Sequence, residues 1–279
     1  MRPNQSVSTR GYRFHINQAG LRGPDFVLPR QVGVYRIAFL GDSITYGGGS
    51  ITDPDLFVNR VVLTLTSLKG HRFEATNMSA PGWGIQNEAA YVSRVGVLGA
   101  DLIVWVVPSI DFRRPKTSAA ENDLLLEKPR SRLSGVLLTS YQKLSHMPLF
   151  SPPHPEDLTK RAQLFEENLK VFRSALSELA EEGTRVAVVF VPGVEGYLPN
   201  NDLANYKSVA ASCSIPVLDS APGLLSQGSG KAFIDAVHLN RRGHALLVEQ
   251  ITKFLKNNFL EAKPGKVEKE GCSGLPAPH

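Results

Sequence analysis

The sequence predicts an α/β domain with three layers (α/β/α), in which a doubly wound, mostly parallel five-stranded sheet lies between two layers of helices. Two observations favour this fold class. Short runs of β-prone apolar residues alternate along the chain with segments whose apolar residues recur at helical spacing, which is typical of a parallel sheet covered on both faces. The runs 102–107 and 186–191 are continuously apolar, as strands buried on both faces are.

Five segments are predicted as strands because they are short, rich in β-prone residues and bounded by turn residues. They are 35–40, 73–78, 102–107, 186–191 and 215–218. In a parallel sheet the loops that follow the strands gather at one edge, where ligands bind. We therefore expect the functional residues in these loops.

Four segments are predicted as helices from the spacing of their apolar residues. In the clearest of them, apolar residues recur three and four positions apart until Gly183, which places them on one face and ends the helix at a glycine. The four predicted helices are 56–68, 87–97, 162–179 and 243–259.

The domain organisation follows from where this alternation holds. A chain of 279 residues suits one α/β domain with an insertion, which we assign to 35–261. Residues 1–34 are polar with several glycines and prolines and predict an extended N-terminal arm. The alternation breaks over about 113–155, which we expect to be an insertion that shapes the cleft. The tail, 262–279, is predicted to be disordered.

Composition and charge exclude several classes of protein. Hydrophobic residues make up 42% of the chain, which suffices for a core and excludes a chain disordered throughout. The net charge of +5 is dispersed rather than gathered in a basic stripe, so we expect no nucleic-acid partner. No apolar run reaches the roughly 18–20 residues of a membrane span. The oligomeric state is not written in the sequence.

The first residues bear on location. The stretch MRPNQSVSTRGYRFH lacks the apolar core of a secretory signal, so the sequence as given predicts a cytoplasmic protein. Removal of an N-terminal anchor from a longer precursor would instead indicate the cell envelope or periplasm. Cys213 and Cys272 are too few for a disulfide framework or a zinc site, and we expect one buried and one exposed thiol.

The first predicted strand runs directly into Gly41-Asp42-Ser43-Ile44-Thr45-Tyr46-Gly47. A serine just past a buried strand can face a cleft as a nucleophile. The segment lacks the lysine of a phosphate-binding loop, and Thr45 stands where the nucleophile elbow G-x-S-x-G needs its second glycine. On spacing alone, a plain strand-to-loop turn explains the segment equally well.

A second motif, Asp235-Ala236-Val237-His238, precedes the last predicted helix. An aspartate three residues before a histidine can orient the imidazole within one turn, and the histidine can then act as base toward a serine from another loop. The alternative is a surface histidine, followed by a simple helix cap at Asn240.

Together these residues resemble the SGNH (GDSL-type) hydrolase superfamily of esterases and lipases. The segment 41–44 (GDSI) matches its G-D-S-[LIV] block, 77–84 (NMSAPGWG) is similar to its second block, and 235–238 fits its final D-x-x-H block. The blocks occur in the family order. The arm segment 16–23 (INQAGLRG) also resembles a stretch found in a bacterial subgroup that is often tied to membranes or envelope polysaccharide.

The resemblance implies a flavodoxin-like fold of the SGNH type and a serine ester hydrolase that uses no metal and no cofactor. Ser43 would be the nucleophile, His238 the general base and then acid, and Asp235 the orienting carboxylate, with hydrolysis through an acyl-enzyme. The backbone amides of Ser43 and Gly82 would form the oxyanion hole. The substrate would be a small-molecule or polysaccharide ester, with a small acyl group and a carbohydrate as its alcohol.

The third block departs from the family pattern G-x-N-D. Here it reads Pro108-Ser109-Ile110-Asp111, so an isoleucine stands where the family asparagine donates a hydrogen bond to the oxyanion. Isoleucine has no donor, and losing one such donor typically costs about 10²–10³ in rate. Candidate substitutes or accessory residues are Asp42, Gln86, Asn87, Ser109 and Asp111.

This departure keeps two alternatives to hydrolysis open. The same serine would serve an acyltransferase that passes the acyl group to a sugar or polymer. A non-catalytic carbohydrate-binding relative would have lost activity with the third-block asparagine. Trp83 and Tyr46 flank the expected cleft and are candidates to stack on a sugar ring or merely to pack, whereas Asp53 and Asp55 are candidate substrate contacts or ordinary helix-start carboxylates.

Overall fold

The computed structural model describes residues 3–9, 12–48, 51–69, 71–117, 155–194, 200–226 and 228–261. The first of these form an antiparallel pair of strands, β1 (Gln5–Thr9) and β2 (Tyr12–Ile16). These strands lie within the predicted N-terminal arm. Most of the predicted insertion, 118–154, and the predicted tail, 262–279, lie outside the described residues.

The central sheet has five strands, all of them parallel. In chain order they are β3 (Val34–Gly41), β4 (Arg72–Ser79), β5 (Leu102–Pro108), β6 (Val186–Val191) and β7 (Val217–Asp219). Their spatial order is β4-β3-β5-β6-β7. The strand that comes first in the chain therefore lies between the second and third, which is the flavodoxin-like order.

Seven α-helices surround this sheet in the described part of the chain. They are α1 (Ser43–Tyr46), α2 (Phe57–Lys69), α3 (Ile85–Val95), α4 (Pro155–Glu181), α5 (Asn200–Ser212), α6 (Ala221–Leu225) and α7 (Arg241–Leu255). Three 3-10 turns are also present, and a π-helical turn follows α7: Asp53–Asp55, Ser109–Arg113, Ser229–Lys231 and Lys256–Leu260.

The alternation of side chains along each strand divides the core into two layers. Successive strand residues point to opposite faces of a sheet, and every residue of β5 is buried. One face packs with α2, α6 and α7 and contains Leu102, Val104 and Val106. The other packs with α3, α4 and α5 and contains Ile103, Trp105 and Val107. The three-layer fold predicted from the sequence is confirmed.

Most element bounds agree with the sequence prediction to within a few residues. The largest difference is in α4, which begins at Pro155, ahead of the first residue of the apolar stripe. Helix α5 was not predicted, because its first turn is Asn-Asn-Asp and its apolar positions are few. The expectation of a free buried thiol is wrong for Cys213, which is buried but disulfide-bonded.

The segment that follows β2 packs onto the domain rather than standing apart from it. Ile16, Leu21 and Phe26 are all buried. The side chain of Asn17 makes the turn, since its Oδ1 accepts the backbone N–H groups of Ala19 and Leu21, both at 3.0 Å. Among the described residues, no helix combines the length and the apolar composition that crossing a membrane requires.

Gly41 ends β3 at a place where no side chain fits. A Cβ on Gly41 would lie 2.3 Å from Thr45 Oγ1 and 2.8 Å from the carbonyl oxygen of Val106. The absence of a side chain therefore lets the turn into α1 pass close to β5, and this close approach sets the position of the residues that follow.

We expect Gly41→Ala to lower the free energy of unfolding by about 1–3 kcal/mol, the usual cost of overpacking a filled core. Urea denaturation measures this change. Gly230→Ala is the matched control, because a Cβ there would meet no atom within 4 Å. Equal stability of Gly41→Ala and the control would contradict the close-approach argument.

Candidate active site

The carboxyl end of β3 lies where the sheet offers a crevice. The chain continues from β3 to β4 on one side of β3 and then crosses to β5 on the other side. Ligands bind doubly wound sheets at such a switch point. Ser43 follows β3 as the first residue of α1 and is 8% exposed. Asp42 caps the helix, with its Oδ1 accepting the backbone N–H of Ile44 at 2.8 Å. The cap holds Ser43 at the mouth of the crevice.

The loop before α7 carries the second motif. Asp235 Oδ1 accepts the backbone N–H groups of Val237 at 2.9 Å and His238 at 2.8 Å, which closes the turn between the two motif residues. The loop is tied to the carboxyl end of β6, since the Val194 N–H donates to the Ala236 carbonyl at 2.9 Å. Asn240 caps α7 through Gly243, as the sequence indicated.

Ser43, His238 and Asp235 form one hydrogen-bonded chain. Ser43 Oγ lies 3.0 Å from His238 Nε2, across 195 residues of sequence. His238 Nδ1 lies 2.8 Å from Asp235 Oδ2. An ionised carboxylate at this position fixes the proton on Nδ1, so the lone pair of Nε2 faces the serine hydroxyl. This arrangement can accept the hydroxyl proton.

The carboxyl of Asp235 is held in its ionised form. Partial burial works against ionisation, but the backbone N–H groups of His238 and Val237 and the His238 ring outweigh it and lower the pKa of Asp235 below its ordinary value. A carboxylate that accepts two backbone N–H bonds favours its charged state. The acceptor for His238 Nδ1 is therefore present across the neutral range.

The loop after β4, which contains Gly82, is connected to Asp42 through Arg114. Gly82 has φ +79°, a left-handed conformation that favours glycine. Its carbonyl accepts the Thr117 hydroxyl at 3.2 Å, and the carbonyl of Trp83 accepts Arg114 Nη1. With its carbonyls bound in this way, the loop has a fixed orientation. The amide of Ser43, in the first turn of α1, has no intrahelical acceptor.

The third block has a different role from the family pattern. Ser109 Oγ accepts the backbone N–H of Gly193 at 3.1 Å, and a hydroxyl that accepts one bond retains its own proton to donate. Ile110 is half-buried in the 3-10 turn. Asp111 is fully buried and ion-paired with Arg114 at 3.0 Å. Ser109 is therefore a polar group of this block that keeps a donor proton.

Gln86 and Asn87 bind elsewhere. Gln86 Nε2 donates to Asn168 Oδ1 at 2.9 Å, and Asn87 Nδ2 donates to the Thr117 carbonyl at 3.0 Å. These bonds connect α3 to α4 and to the first residues of the predicted insertion. Both side chains brace the surroundings of the Gly82 loop.

Behind Ser43 lies a buried acidic cluster, which consists of Asp42, Glu88, Asp111 and the single cation Arg114. Glu88 and Asp111 are 0% exposed. Their carboxyl groups face each other, and they satisfy one another only when one holds a proton. Burial, together with the charge of Asp42, raises the pKa of Glu88 to about 8 and raises that of Asp111 as well.

The arm contacts the glycine loop after α1 through Arg22. Arg22 is 1% exposed. It pairs with Asp53 at 2.8 Å and donates to the carbonyls of Tyr46, Gly48 and Ile51 at 2.7–2.9 Å. The arm motif therefore holds the glycine loop that follows α1. Asp53 and the buried Tyr46 are structural here, and Asp55 likewise pairs with Arg241 at 2.9 Å.

Sequence reasoning did not identify Arg114, Glu88, Asn168 or Arg22 as site-building residues. Two of them had a signal: Asn168 lies in the apolar stripe of α4 beside Phe165 and Phe172, and Glu88 lies between the buried residues of α3. A polar residue on an apolar face needs a buried partner. The two arginines had none, because in sequence they are ordinary charges.

The chain is similar to a known family of hydrolases. The model of the GDSL-like lipase/acylhydrolase family matches residues 37–251. No curated protein sequence matches the chain.

Several solved structures share the fold. The lipase/acylhydrolase from Enterococcus faecalis is 16% identical with a TM-score of 0.50, over 84% of this chain and 100% of that one. A two-domain esterase active on acetylated mannans is 17% identical with a TM-score of 0.56, over 88% of this chain and 53% of that one. The chain thus spans about half of the mannan esterase. A catalytic mutant of an acetylxylan esterase from Geobacillus stearothermophilus is 15% identical with a TM-score of 0.51, over 79% and 94%.

The protonated state of the acidic cluster predicts a pH-dependent stability. The ordinary pKa of a glutamate is 4.5, whereas the pKa of Glu88 in the folded chain is about 8. Between these values the folded form binds more protons than the unfolded form. The free energy of unfolding therefore falls as the pH rises from about 5 to about 8.

We expect Glu88→Gln to reduce this fall, because the variant lacks the carboxyl group that titrates. The fold should be kept, since the amide oxygen still accepts Trp105 Nε1, which binds Glu88 at 2.7 Å. Urea unfolding at about pH 6.5 and about pH 8.5 measures the difference. The exposed Glu178→Gln should keep the wild-type pH dependence. An unchanged pH dependence in Glu88→Gln would show that this carboxyl holds no proton at neutral pH.

Proposed function

The chain belongs to the GDSL-like lipase/acylhydrolase family and is a carboxylic ester hydrolase, and from this premise we propose that it removes small acyl groups from acylated carbohydrates. In this proposal Ser43 is the nucleophile, His238 the general base and then acid, and Asp235 the carboxylate that orients the imidazole. Hydrolysis proceeds through an acyl-enzyme on Ser43.

The observation that carries the proposal is the hydrogen-bonded chain from Ser43 to Asp235, with distances of 3.0 Å and 2.8 Å. A serine hydroxyl is a weak nucleophile until a neighbouring base takes its proton. Both distances lie within the range at which a general base acts. The supporting geometry is independent of the family match, since it rests on contacts between loops at opposite ends of the chain.

The proposed reaction has two halves. Ser43 Oγ attacks the ester carbonyl as its proton passes to His238 Nε2, and the imidazolium then gives that proton to the leaving alcohol. In the second half, water gives a proton to His238 and attacks the acyl-enzyme; the imidazolium then returns that proton to Ser43 Oγ as the bond to the acyl group breaks and the carboxylic acid leaves. Asp235 remains ionised throughout and stabilises the imidazolium. Its lowered pKa supports this role.

The oxyanion of the tetrahedral intermediate is proposed to bind the backbone amides of Ser43 and Gly82. Donors fixed in advance are worth more than mobile ones, because they do not reorganise as charge develops. The Ser109 hydroxyl is our candidate for a third donor, since it follows β5 as the family asparagine does and retains its proton.

The acyl and alcohol parts are inferred from the named relatives. Two of the similar structures are esterases described as active on acetylated mannans or xylan. Trp83 supports a carbohydrate alcohol here, because it is half-buried at the loop that carries Gly82 and packs against Tyr91 at 4.9 Å between ring centroids. A ring held in this way offers a face on which a sugar stacks.

Active-site labelling tests the triad. We expect a fluorophosphonate probe to label the wild type and to lose labelling in Ser43→Ala and His238→Ala, with ester hydrolysis reduced at least ~10³-fold in both. Ser226→Ala and His71→Ala are matched controls, since both residues are exposed, and both should label normally. Folded wild-type protein without labelling would contradict the assignment of Ser43.

A substrate series tests the acyl and alcohol assignments. We expect kcat/KM to fall at least ~10-fold from an aryl acetate to the octanoate, as a small acyl site excludes a long chain. Trp83→Ala should raise KM for acetylated xylo- or manno-oligosaccharides several-fold and leave aryl acetate hydrolysis nearly unchanged. Analysis of products with an added sugar acceptor separates hydrolysis from acyl transfer. A preference for octanoate, or equal effects of Trp83→Ala on both substrates, would refute the carbohydrate assignment.

A further inference from the structure

We propose that Arg114 is a positioning residue for the reaction, which directs the Ser43 proton to His238 and holds the Gly82 loop where the third-block asparagine is missing. This inference rests on the function proposed above, with Ser43 as the nucleophile. It assigns a role to a residue outside the four family blocks.

The Ser43 hydroxyl has two acceptors and one proton. Its Oγ lies 3.0 Å from His238 Nε2 and 3.1 Å from Asp42 Oδ2. Only the bond to His238 prepares the oxygen for attack, because a proton directed to the carboxylate leaves the imidazole without its partner. A bare carboxylate is the stronger acceptor of the two, since charged acceptors form the stronger hydrogen bonds.

Arg114 weakens this competing acceptor. Its Nη1 lies 3.2 Å from the same oxygen, Asp42 Oδ2. The side chains of Asp42 and Arg114 are 2% and 19% exposed, so little solvent screens the pair. With its charge neutralised by Arg114, Asp42 attracts the Ser43 proton less, and the proton is directed to His238.

The same nitrogen braces the oxyanion loop. Arg114 Nη1 donates to the carbonyl of Trp83, the residue after Gly82. The stem of Arg114 packs over Gly84, where a Cβ would lie 3.1–3.3 Å from its side-chain carbons. One guanidinium thus connects the serine-side carboxylate to the loop that supplies the second amide.

The backbone of Arg114 is itself anchored. Arg114 follows directly on the 3-10 turn that contains Ile110, and Asn168 Nδ2 donates to its carbonyl at 2.9 Å. Asn168 is 0% exposed. The brace therefore starts directly after the 3-10 turn that contains Ile110 and connects this turn to Asp42 and to the Trp83 carbonyl.

Arg114→Ala is expected to lower kcat for an aryl acetate ~10- to 100-fold, with KM changed by less than about threefold, because the lost interaction acts on proton direction and oxyanion geometry. Arg113→Ala is the matched control. Arg113 makes two hydrogen bonds with Asp202, at 2.7 and 2.9 Å, so its removal breaks a comparable ion pair away from Ser43. We expect Arg113→Ala to keep the wild-type kcat.

A double mutant separates positioning from mere stabilisation of the fold. If Arg114 acts by neutralising Asp42, then Asp42→Asn/Arg114→Ala should recover at least ~5-fold of the kcat lost in Arg114→Ala, since two contacting residues couple in such a cycle. Asp42→Asn also removes the buried charge that Arg114→Ala leaves unpaired, so kcat is expressed per folded enzyme, with the folded fraction of each variant measured by urea denaturation. Arg114→Lys keeps the charge without the planar fork, and its kcat should lie between those of the wild type and Arg114→Ala. This variant also provides the test if Arg114→Ala does not fold.

The outcomes are distinct. Wild-type protein that hydrolyses the ester through Ser43, with Arg114→Ala and Arg114→Lys both within about threefold of its kcat, would overturn this inference and leave the proposed function intact. A loss of kcat that the Asp42→Asn background does not reduce would also overturn it. Wild-type protein without Ser43-dependent hydrolysis would overturn both.

Discussion

The pairing of β3 with a parallel strand on each side is the constraint on which the rest of the structure depends. β4 pairs with the whole length of β3 on one side, and residues 102–106 of β5 pair with the carboxyl part of β3, 37–41, on the other. Both faces of the sheet are covered by helices, so the open place at the end of β3 is the carboxyl edge. Gly41 lets the chain turn sharply there against β5. Ser43 consequently emerges into the crevice, and Asp235 and His238 are brought to it by a loop at the same edge.

Three arginines of low exposure fix loops of the domain, at this edge and elsewhere. Arg22 binds three carbonyls of the glycine loop after α1, and Arg36 binds the Leu98 and Val27 carbonyls at 2.6 and 2.8 Å. Arg114 binds the loop that carries Gly82. An arginine presents several donors in a rigid fork, so one side chain satisfies backbone carbonyls that a loop cannot pair by itself. Each arginine also has a carboxylate partner, as burial of its charge requires.

The geometry of the site therefore depends on how its buried charges are neutralised, as well as on the catalytic groups themselves. Asp42, Glu88 and Asp111 place three carboxyls around one cation. When Glu88 and Asp111 share a proton, Arg114 remains able to neutralise Asp42, the carboxylate nearest to the serine. The replacement of the third-block asparagine by Ile110 gives this balance its importance, because fewer direct donors leave the reaction more dependent on how well the remaining groups are oriented.

The sequence alone determined most of the local elements and the blocks that contain the candidate triad, because helical and strand periodicity are properties of neighbouring residues. It also predicted the closeness of Asp235 and His238, which lie three residues apart in one turn. It did not indicate the approach of Ser43 to His238 over 195 residues, other than through the family resemblance. The tertiary structure decided that Arg22 is buried and Arg114 half-buried, that Gln86 and Asn87 bind Asn168 and Thr117, and that Ser109 accepts the Gly193 N–H. The physical reason is that the sequence does not show which group a charged or amide side chain will bind. That partner is set by which loops the folded sheet brings to the same edge.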